Sequence, residues 1–166
     1  MSGCAGTDPH RPGRKDSSMT VAQSHGAVER IFAAVQSVVG EDGWTDEQPG
    51  WFACGSGGKK AAQYTCSATR KLPLPAAPDE VASRVVGALE EIGYGGARVQ
   101  RDETLVPPRP VIAYPNGYNR GAAADGFLVQ FQAYDSHADV SIEGHCVSGK
   151  APEFGTPLNP RPTDLP

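Results

Sequence analysis

Apolar and polar residues alternate along residues 127–146, on both sides of a short polar break at 135–137. A two-residue period is typical of a strand with one buried and one solvent-facing side. The residues that share the buried side are Phe127, Val129, Phe131 and Ala133 in the first half, and Ala138, Val140, Ile142 and Cys146 in the second. The short break predicts an antiparallel hairpin, which we place at the centre of a sheet.

Two other stretches carry their apolar residues at helical spacing. The first covers residues 27–39, with Val28, Ile31 and Val35 in one stripe, and it ends before a glycine. The second begins at Pro78, a residue that suits the first turn of a helix. Because each predicted helix has a single apolar stripe, both can cover the same face of one sheet.

Shorter apolar segments predict further strands at residues 51–54, 63–69, 98–102 and 111–114. Strands joined by short turns form antiparallel sheets. The expected fold class is therefore α+β, with an antiparallel sheet of about five or six strands and two helices packed on one of its faces.

The glycine-rich turn at residues 55–60 superficially resembles a phosphate-binding loop. Such a loop needs Gly-Lys followed by Ser or Thr, and then a helix. In this sequence Lys60 occupies the hydroxyl position and a predicted strand follows. We therefore interpret the turn as a flexible hairpin loop.

Composition suits one globular domain with tails, since 39% of the 166 residues are hydrophobic and seven of the fifteen prolines lie in the two end segments. We expect a polar tether at residues 1–25, a globular domain at 26–147 and a proline-rich irregular tail at 148–166. The net charge of −4 offers no basic stripe, so we expect no nucleic-acid partner. No apolar run reaches the roughly 18 residues of a membrane span.

The first residues, Met-Ser-Gly-Cys, resemble a bacterial lipobox with everything upstream of it removed. In a lipoprotein, the cysteine after such small residues carries the lipid, and here it would be Cys4. The polar stretch that follows would then be a flexible tether between membrane and domain. The alternative is an accidental Ser-Gly-Cys, because the residues before Cys4 include neither the basic nor the apolar region of a signal peptide.

The remaining cysteines are Cys54, Cys66 and Cys146. Outside the cytoplasm, three cysteines predict one disulfide and one free thiol. We favour Cys54–Cys146, which closes a loop of roughly ninety residues. The alternatives are Cys54–Cys66, which would staple a hairpin, and three buried thiols. With no Cys-x-x-Cys and no histidines at ligand spacing, we expect neither a metal site nor a cofactor.

We predict no catalytic residues. His137 lies in a turn beside aspartates, but residues so close in sequence do not assemble a catalytic triad. His145 falls on the wetter side of its strand, which indicates a surface histidine. The sequence also contains no hydrolase, zinc-protease or dinucleotide-binding motif.

The long glycine-rich loop at residues 115–125 is the candidate ligand-binding surface. Residues of the types that make adaptable contacts lie on or beside it, namely Tyr114, Asn116, Tyr118, Asn119 and Arg120. The alternative interpretation is that the tyrosines pack the loop onto the sheet while its polar residues form turns.

Taken together, the Ser-Gly-Cys start, the polar tether, a Trp51-x-x-Cys54-Gly55 segment and a final strand ending in Cys146-Val147 resemble a known group. They are similar to small cell-envelope lipoproteins of mycobacteria and other actinobacteria, and to the LppA-like group in particular. The resemblance implies a Cys4 acylated with a fatty acid such as palmitate, a location on the outer side of the cell membrane and a small α+β domain. It implies no mechanism.

The sequence therefore predicts a non-enzymatic envelope lipoprotein. Its expected partners are the membrane, through the lipid anchor, and a small-molecule or protein ligand. The alternatives are an extracytoplasmic, hydrolase-like enzyme with an unrecognised site, and a cytosolic protein with free thiols.

Overall fold

The computed structural model describes residues 19–45, 47–55 and 60–161. Cys4, most of the predicted tether, the centre of the 55–60 turn and the last residues of the tail lie outside this part of the chain. The helices are α1 (Val21–Val39) and α2 (Pro78–Glu91). The strands are β1 (Trp44–Thr45), β2 (Gly50–Ala53), β3 (Ala61–Arg70), β4 (Val99–Asp102), β5 (Arg109–Tyr114), β6 (Leu128–Ala133), β7 (Ala138–Glu143) and β8 (Val147–Ser148).

Helix α1 begins at Val21, earlier than the predicted residue 27, because a capping box fixes its start. The Thr20 hydroxyl accepts a hydrogen bond from the Gln23 backbone N–H, and the Gln23 side chain accepts one from the Thr20 N–H. Both pairs satisfy amide groups that have no partner within the helix. Residues 21–25, which the sequence predicts as part of the tether, are therefore helical.

All eight strands form one antiparallel sheet in the order β1-β3-β7-β6-β5-β4, with β2 and β8 also paired to β3. The predicted central hairpin is confirmed as β6 and β7. The sheet has more strands than expected because β1 and β8, each two residues long, pair with opposite ends of the ten-residue β3. Segments this short have no readable alternation of their own.

Both helices pack on the same face of the sheet, which confirms the α+β class. Helix α1 lies over β3 and β7, and α2 lies over β5 and β6. Every second residue of β3, β6 and β7 is buried beneath them. The largest fully buried side chains are Phe131, Ile31, Leu89, Ile112 and Ile142, followed by valines. Neither helix is long and apolar enough to cross a membrane, within the described ranges.

Helix α1 approaches the sheet closely at Gly144. A Cβ atom there would lie 2.7 Å from the Tyr64 carbonyl oxygen and 2.9 Å from Val28 Cγ2. The Gly144 N–H donates to that same carbonyl at 2.7 Å. A side chain at this position would therefore push the first half of α1 away from the sheet.

The predicted disulfide between Cys54 and Cys146 is present, and Cys66 is a buried free thiol. The bond joins the residue after β2 to the residue before β8, so it ties together two strands that both pair with β3. The alternative Cys54–Cys66 bond is wrong because Cys66 lies opposite Ile142 and faces the helices.

Ser148, the first residue of the predicted tail, belongs to β8, and the described residues after it are irregular apart from one bridge between Thr156 and Asn159. The tail is nevertheless attached to the domain. The Trp51 indole N–H donates to the Leu158 carbonyl at 2.7 Å. The tail thereby lies alongside β2 and forms one side of a groove.

Candidate functional site

A groove of about 690 Å³ opens between the first half of α1, the β2–β3 hairpin and the tail at residues 154–160. Each side comes from a different part of the chain. Helix α1 contributes His25, Glu29 and Phe32, the hairpin contributes Tyr64 and Cys66, and the tail contributes Phe154, Pro157 and Pro160. Sequence reasoning missed this site, since no two of its sides are adjacent in sequence.

The aromatic side chains of His25 and Tyr64 line the inner wall, and Trp51 supports Tyr64. His25 packs on Tyr64 with ring centroids 4.3 Å apart, and Trp51 packs on Tyr64 at 5.1 Å. Trp51 and Tyr64 are directly opposite each other in the β2–β3 register, so their side chains share one face of the sheet. At the outer edge, Phe154 is 64% exposed.

Two glutamates give the groove its charge. Glu29 lies one helical turn after His25, with 3.8 Å between its Oε1 atom and the histidine Nε2. The Tyr64 hydroxyl donates to the same carboxylate at 3.3 Å. Glu47, on the segment before β2, is the second carboxylate. No lysine or arginine is found among the described residues that line the groove.

The ionisation of Tyr64 and Cys66 reflects this arrangement. Burial raises the pKa of Cys66 to about 12, and the negative charges of Glu29 and Glu47 add to the effect. Burial also raises the pKa of Tyr64, and the same two carboxylates contribute. At neutral pH both groups are protonated and uncharged, so neither Tyr64 nor Cys66 adds a charge to the groove.

We expect the Cys66 thiol to be almost inert in the folded protein, because only the thiolate is a good nucleophile and this side chain is 5% exposed. In a Cys4→Ser variant kept oxidised, a disulfide-exchange reagent at mildly alkaline pH should titrate one thiol in denaturant and far less than one without it. Rapid stoichiometric reaction of the native protein would contradict the burial of this thiol.

The predicted binding residues lie away from the lining of the groove. The Tyr114 ring stands edge-on to Tyr94 and Phe127, with centroids 6.0 Å away in both cases. The Asn116 side chain donates to the Gly121 and Ala122 carbonyls, which closes the loop on itself. For Tyr114 and Asn116, the structure therefore matches the packing-and-turn interpretation.

The other three predicted residues have mixed surroundings. The Tyr118 hydroxyl hydrogen-bonds Asp102, which raises the pKa of the phenol. Asn119 adopts a left-handed backbone conformation (φ 63°), and Arg120 is exposed. None of the five residues lines the groove. A binding role for the loop stays a prediction.

His145 is a half-buried member of an Asp–His pair, whereas the sequence indicated a surface histidine. Its Nδ1 atom lies 2.5 Å from Asp125 Oδ2, and its ring stacks on Phe127 at 4.3 Å. The register of β6 and β7 pairs Leu128 with Glu143. Extending that pairing beyond the strand ends brings residue 125 beside residues 145 and 146, so the hairpin spacing could have revealed this contact.

The Asp125 carboxyl is held in its ionised form. Burial alone would raise its pKa, but the hydrogen bonds from His145 and from the Phe127 N–H outweigh burial and hold the pKa below its ordinary value. A carboxyl whose pKa is lower in the folded than in the unfolded state stabilises the fold above its unfolded pKa. This stabilisation is lost as the pH falls through the folded pKa.

We therefore expect Asp125→Asn to lower the free energy of unfolding by about 1 kcal/mol at neutral pH. Between about pH 5 and pH 3, the wild-type protein should lose more stability than the variant. Urea unfolding of both proteins across this range measures the difference. Parallel pH profiles would show that the pair contributes no pH-dependent stability.

No cluster of three or more His, Cys, Asp or Glu side chains suited to a metal ion occurs in the part of the chain that the structure covers. His137, in the turn between β6 and β7, stacks on Tyr134 with centroids 3.8 Å apart. Its Nε2 atom lies 4.0 Å from Asp139. This turn forms a local cluster on the surface.

No protein-family model and no curated protein matches the chain. A similar fold is found in the crystal structure of a DUF4853 family protein from Actinomyces odontolyticus ATCC 17982. The similarity has a TM-score of 0.51 at 15% sequence identity, and covers 86% of this chain and 77% of that one. At this identity the likeness concerns the fold. The neighbour itself comes from an actinobacterium.

Proposed function

We propose that this chain is an extracytoplasmic binding domain that takes its ligand in the groove between α1, the β2–β3 hairpin and the tail. The observation that carries the proposal is the groove itself. Its volume of about 690 Å³ lies in the range of small-molecule sites. Its mostly apolar wall with a few polar groups, Glu29 among them, is also typical of such sites.

The proposed location rests on different observations. A disulfide such as Cys54–Cys146 persists in oxidising surroundings and is rare in the cytosol. The lipobox-like residues before Cys4 supply a means of attachment, and the likeness to LppA-like envelope lipoproteins points to the same side of the membrane. We therefore propose that a lipid on Cys4 anchors the domain to the cell membrane.

The hydrolase-like alternative has weaker support. His145 is paired with Asp125, as the histidine of a catalytic triad is paired with its carboxylate. The serine that contacts His145, however, donates to its backbone carbonyl and not to its ring: Ser24 Oγ lies 2.8 Å from that oxygen. This serine is therefore not activated by the histidine.

A fragment screen followed by ¹⁵N–¹H NMR tests the binding proposal. Fragments that bind should shift the backbone amides of Glu29, Tyr64 and Phe154 in a saturable way. Saturable shifts confined to the loop at residues 115–125 would place the binding site at that loop and overturn the proposal that the groove binds the ligand. A complete lack of saturable shifts would overturn the binding function.

Mass spectrometry tests the anchor. The gene, with its natural upstream region, is expressed in an actinobacterial host and the mature N-terminus is analysed. We expect an acylated Cys4 as the first residue in membrane fractions, and release of a Cys4→Ser variant from the membrane. An unmodified Cys4 within a longer N-terminal peptide would overturn the lipid anchor.

A further inference from the structure

We propose that the groove recognises an organic cation, namely a substituted ammonium or guanidinium group carried on an apolar body. The inference rests on the proposed function and names the chemical class of its ligand. It is drawn from the placement of aromatic side chains and two carboxylates around one opening, with no lysine or arginine among the described residues that line it.

The aromatic wall suits a cation better than it suits a neutral polar group. The negative face of an aromatic ring attracts an ammonium or guanidinium group within roughly 6 Å of its centre. Phe32 and Tyr64 line the groove from the helix side and the sheet side, and Phe154 lines it from the tail. Tyr64 is largely covered by His25 and Trp51, so the accessible rings are those of Phe154 and the partly buried Phe32. A cationic head can meet these rings while its apolar body contacts the prolines.

The carboxylates supply the charge complementarity. Glu29 is oriented by the Tyr64 hydroxyl at 3.3 Å and by its neighbour His25, so one carboxylate oxygen is held at the aromatic wall. Glu47 approaches from the segment before β2. Burial raises the pKa of Tyr64 and of Cys66, and the negative charges of both carboxylates add to this effect, in keeping with their position beside the same wall.

The same features argue against other ligand classes. An anion would be repelled by both glutamates and would find no lysine or arginine in the described lining. A neutral apolar molecule would contact the rings but gain nothing from Glu29 and Glu47. Metal ions lack a site, since no cluster of three metal-binding side chains occurs among the residues described. An organic cation is the class that uses both the rings and the carboxylates.

A matched pair of probes tests the inference. Acetylcholine carries a quaternary ammonium, and 3,3-dimethylbutyl acetate has the same shape with a neutral carbon in its place. In NMR titrations that follow the groove amides, acetylcholine should bind about tenfold more tightly. Its affinity should fall as the salt concentration rises, whereas the affinity of the neutral probe should not fall in this way.

Variants locate the source of this preference. Glu29→Gln combined with Glu47→Gln should bring acetylcholine within about twofold of the neutral probe, because both carboxylates are removed at almost constant shape. Both side chains are exposed, so the fold should be retained, which an unchanged melting temperature would verify. The control is Glu91→Gln, at the exposed end of α2, which should keep the tenfold preference.

The outcomes separate this inference from the proposed function. If both probes bind the groove equally well, the groove is a binding site but the preference for cations is wrong. If neither probe shifts the groove amides while neutral fragments do, the proposed function stands and the cation inference falls. If the double variant keeps the tenfold preference, the carboxylates are not its source and the inference is overturned.

Discussion

Removal of the Cys54–Cys146 disulfide is expected to lower the free energy of unfolding by about 4 kcal/mol. The two cysteines are 92 residues apart in sequence, and a cross-link over so long a loop strongly restricts the unfolded chain. Domains of this size are stable by only about 5–15 kcal/mol, so the expected loss is a large share of the total. The bond also holds β2, which carries one side of the groove, against the rest of the domain.

Urea unfolding of a Cys54→Ser/Cys146→Ser variant measures this contribution. The wild-type midpoint should fall toward that of the variant when a reducing agent is added, and the midpoint of the variant should not respond. A Cys66→Ala variant is the control for loss of a thiol, and it should keep the response to reductant. A wild-type midpoint unaffected by complete reduction would contradict the structural role of this disulfide.

Periodicity identified the parts of the fold in which each element is long enough to repeat its pattern. The alternation along residues 127–146 specified β6, β7 and their buried faces correctly. The apolar stripe after Pro78 specified α2. Both succeeded because the core is built from one face of each element, and a buried face leaves a regular trace in the sequence.

Elements without a regular pattern of apolar residues were missed, or their ends were predicted at the wrong residue. The start of α1 depends on reciprocal hydrogen bonds between Thr20 and Gln23. Both residues are polar and are equally common in a flexible tether, so their types alone do not indicate a helix. Strands β1 and β8 exist because β3 is long enough to pair with them at its two ends. The formation of β1 and β8 therefore depends more on the length of β3 than on the residues of β1 and β8 themselves.

The candidate site was not predictable from local patterns. His25, Tyr64 and Phe154 are separated by long stretches of sequence, and each alone is compatible with an ordinary helix, strand or tail position. They meet because the tail is attached to Trp51 and because α1 crosses β3. The binding site was predicted at the loop of residues 115–125 instead, because residues typical of recognition surfaces are close together there. A prediction from sequence detects only residues that are close along the chain.

The Cys54–Cys146 pairing was only partly predictable. Cysteine count and compartment favoured one disulfide with one free thiol, but left Cys66 as an alternative partner. The direction of the Cys66 side chain excludes it as the partner of Cys54. Cys66 is one of the alternating buried residues of β3, and its side chain packs in the core. The same alternation that identifies a strand can therefore exclude one of its cysteines from a bond at the strand end.

The second large effect is expected for Phe131→Ala, which should lower the free energy of unfolding by about 3–5 kcal/mol. Phe131 is the largest of the fully buried side chains described, at 0% exposure, and it lies in the middle of β6 opposite Val140. Truncation removes most of its buried apolar area and leaves a cavity beneath the helices. The surrounding elements cannot fill this cavity without moving the sheet.

The matched control is Phe52→Ala, the same chemical change on β2 at a side chain that is 57% exposed. Its expected cost is below about 1 kcal/mol, because most of the ring is already in contact with water. Urea unfolding with equal m-values for both variants would allow a direct comparison. Equal losses for Phe52 and Phe131 would mean that the face of the sheet beneath α1 and α2 is not the core that stabilises the domain.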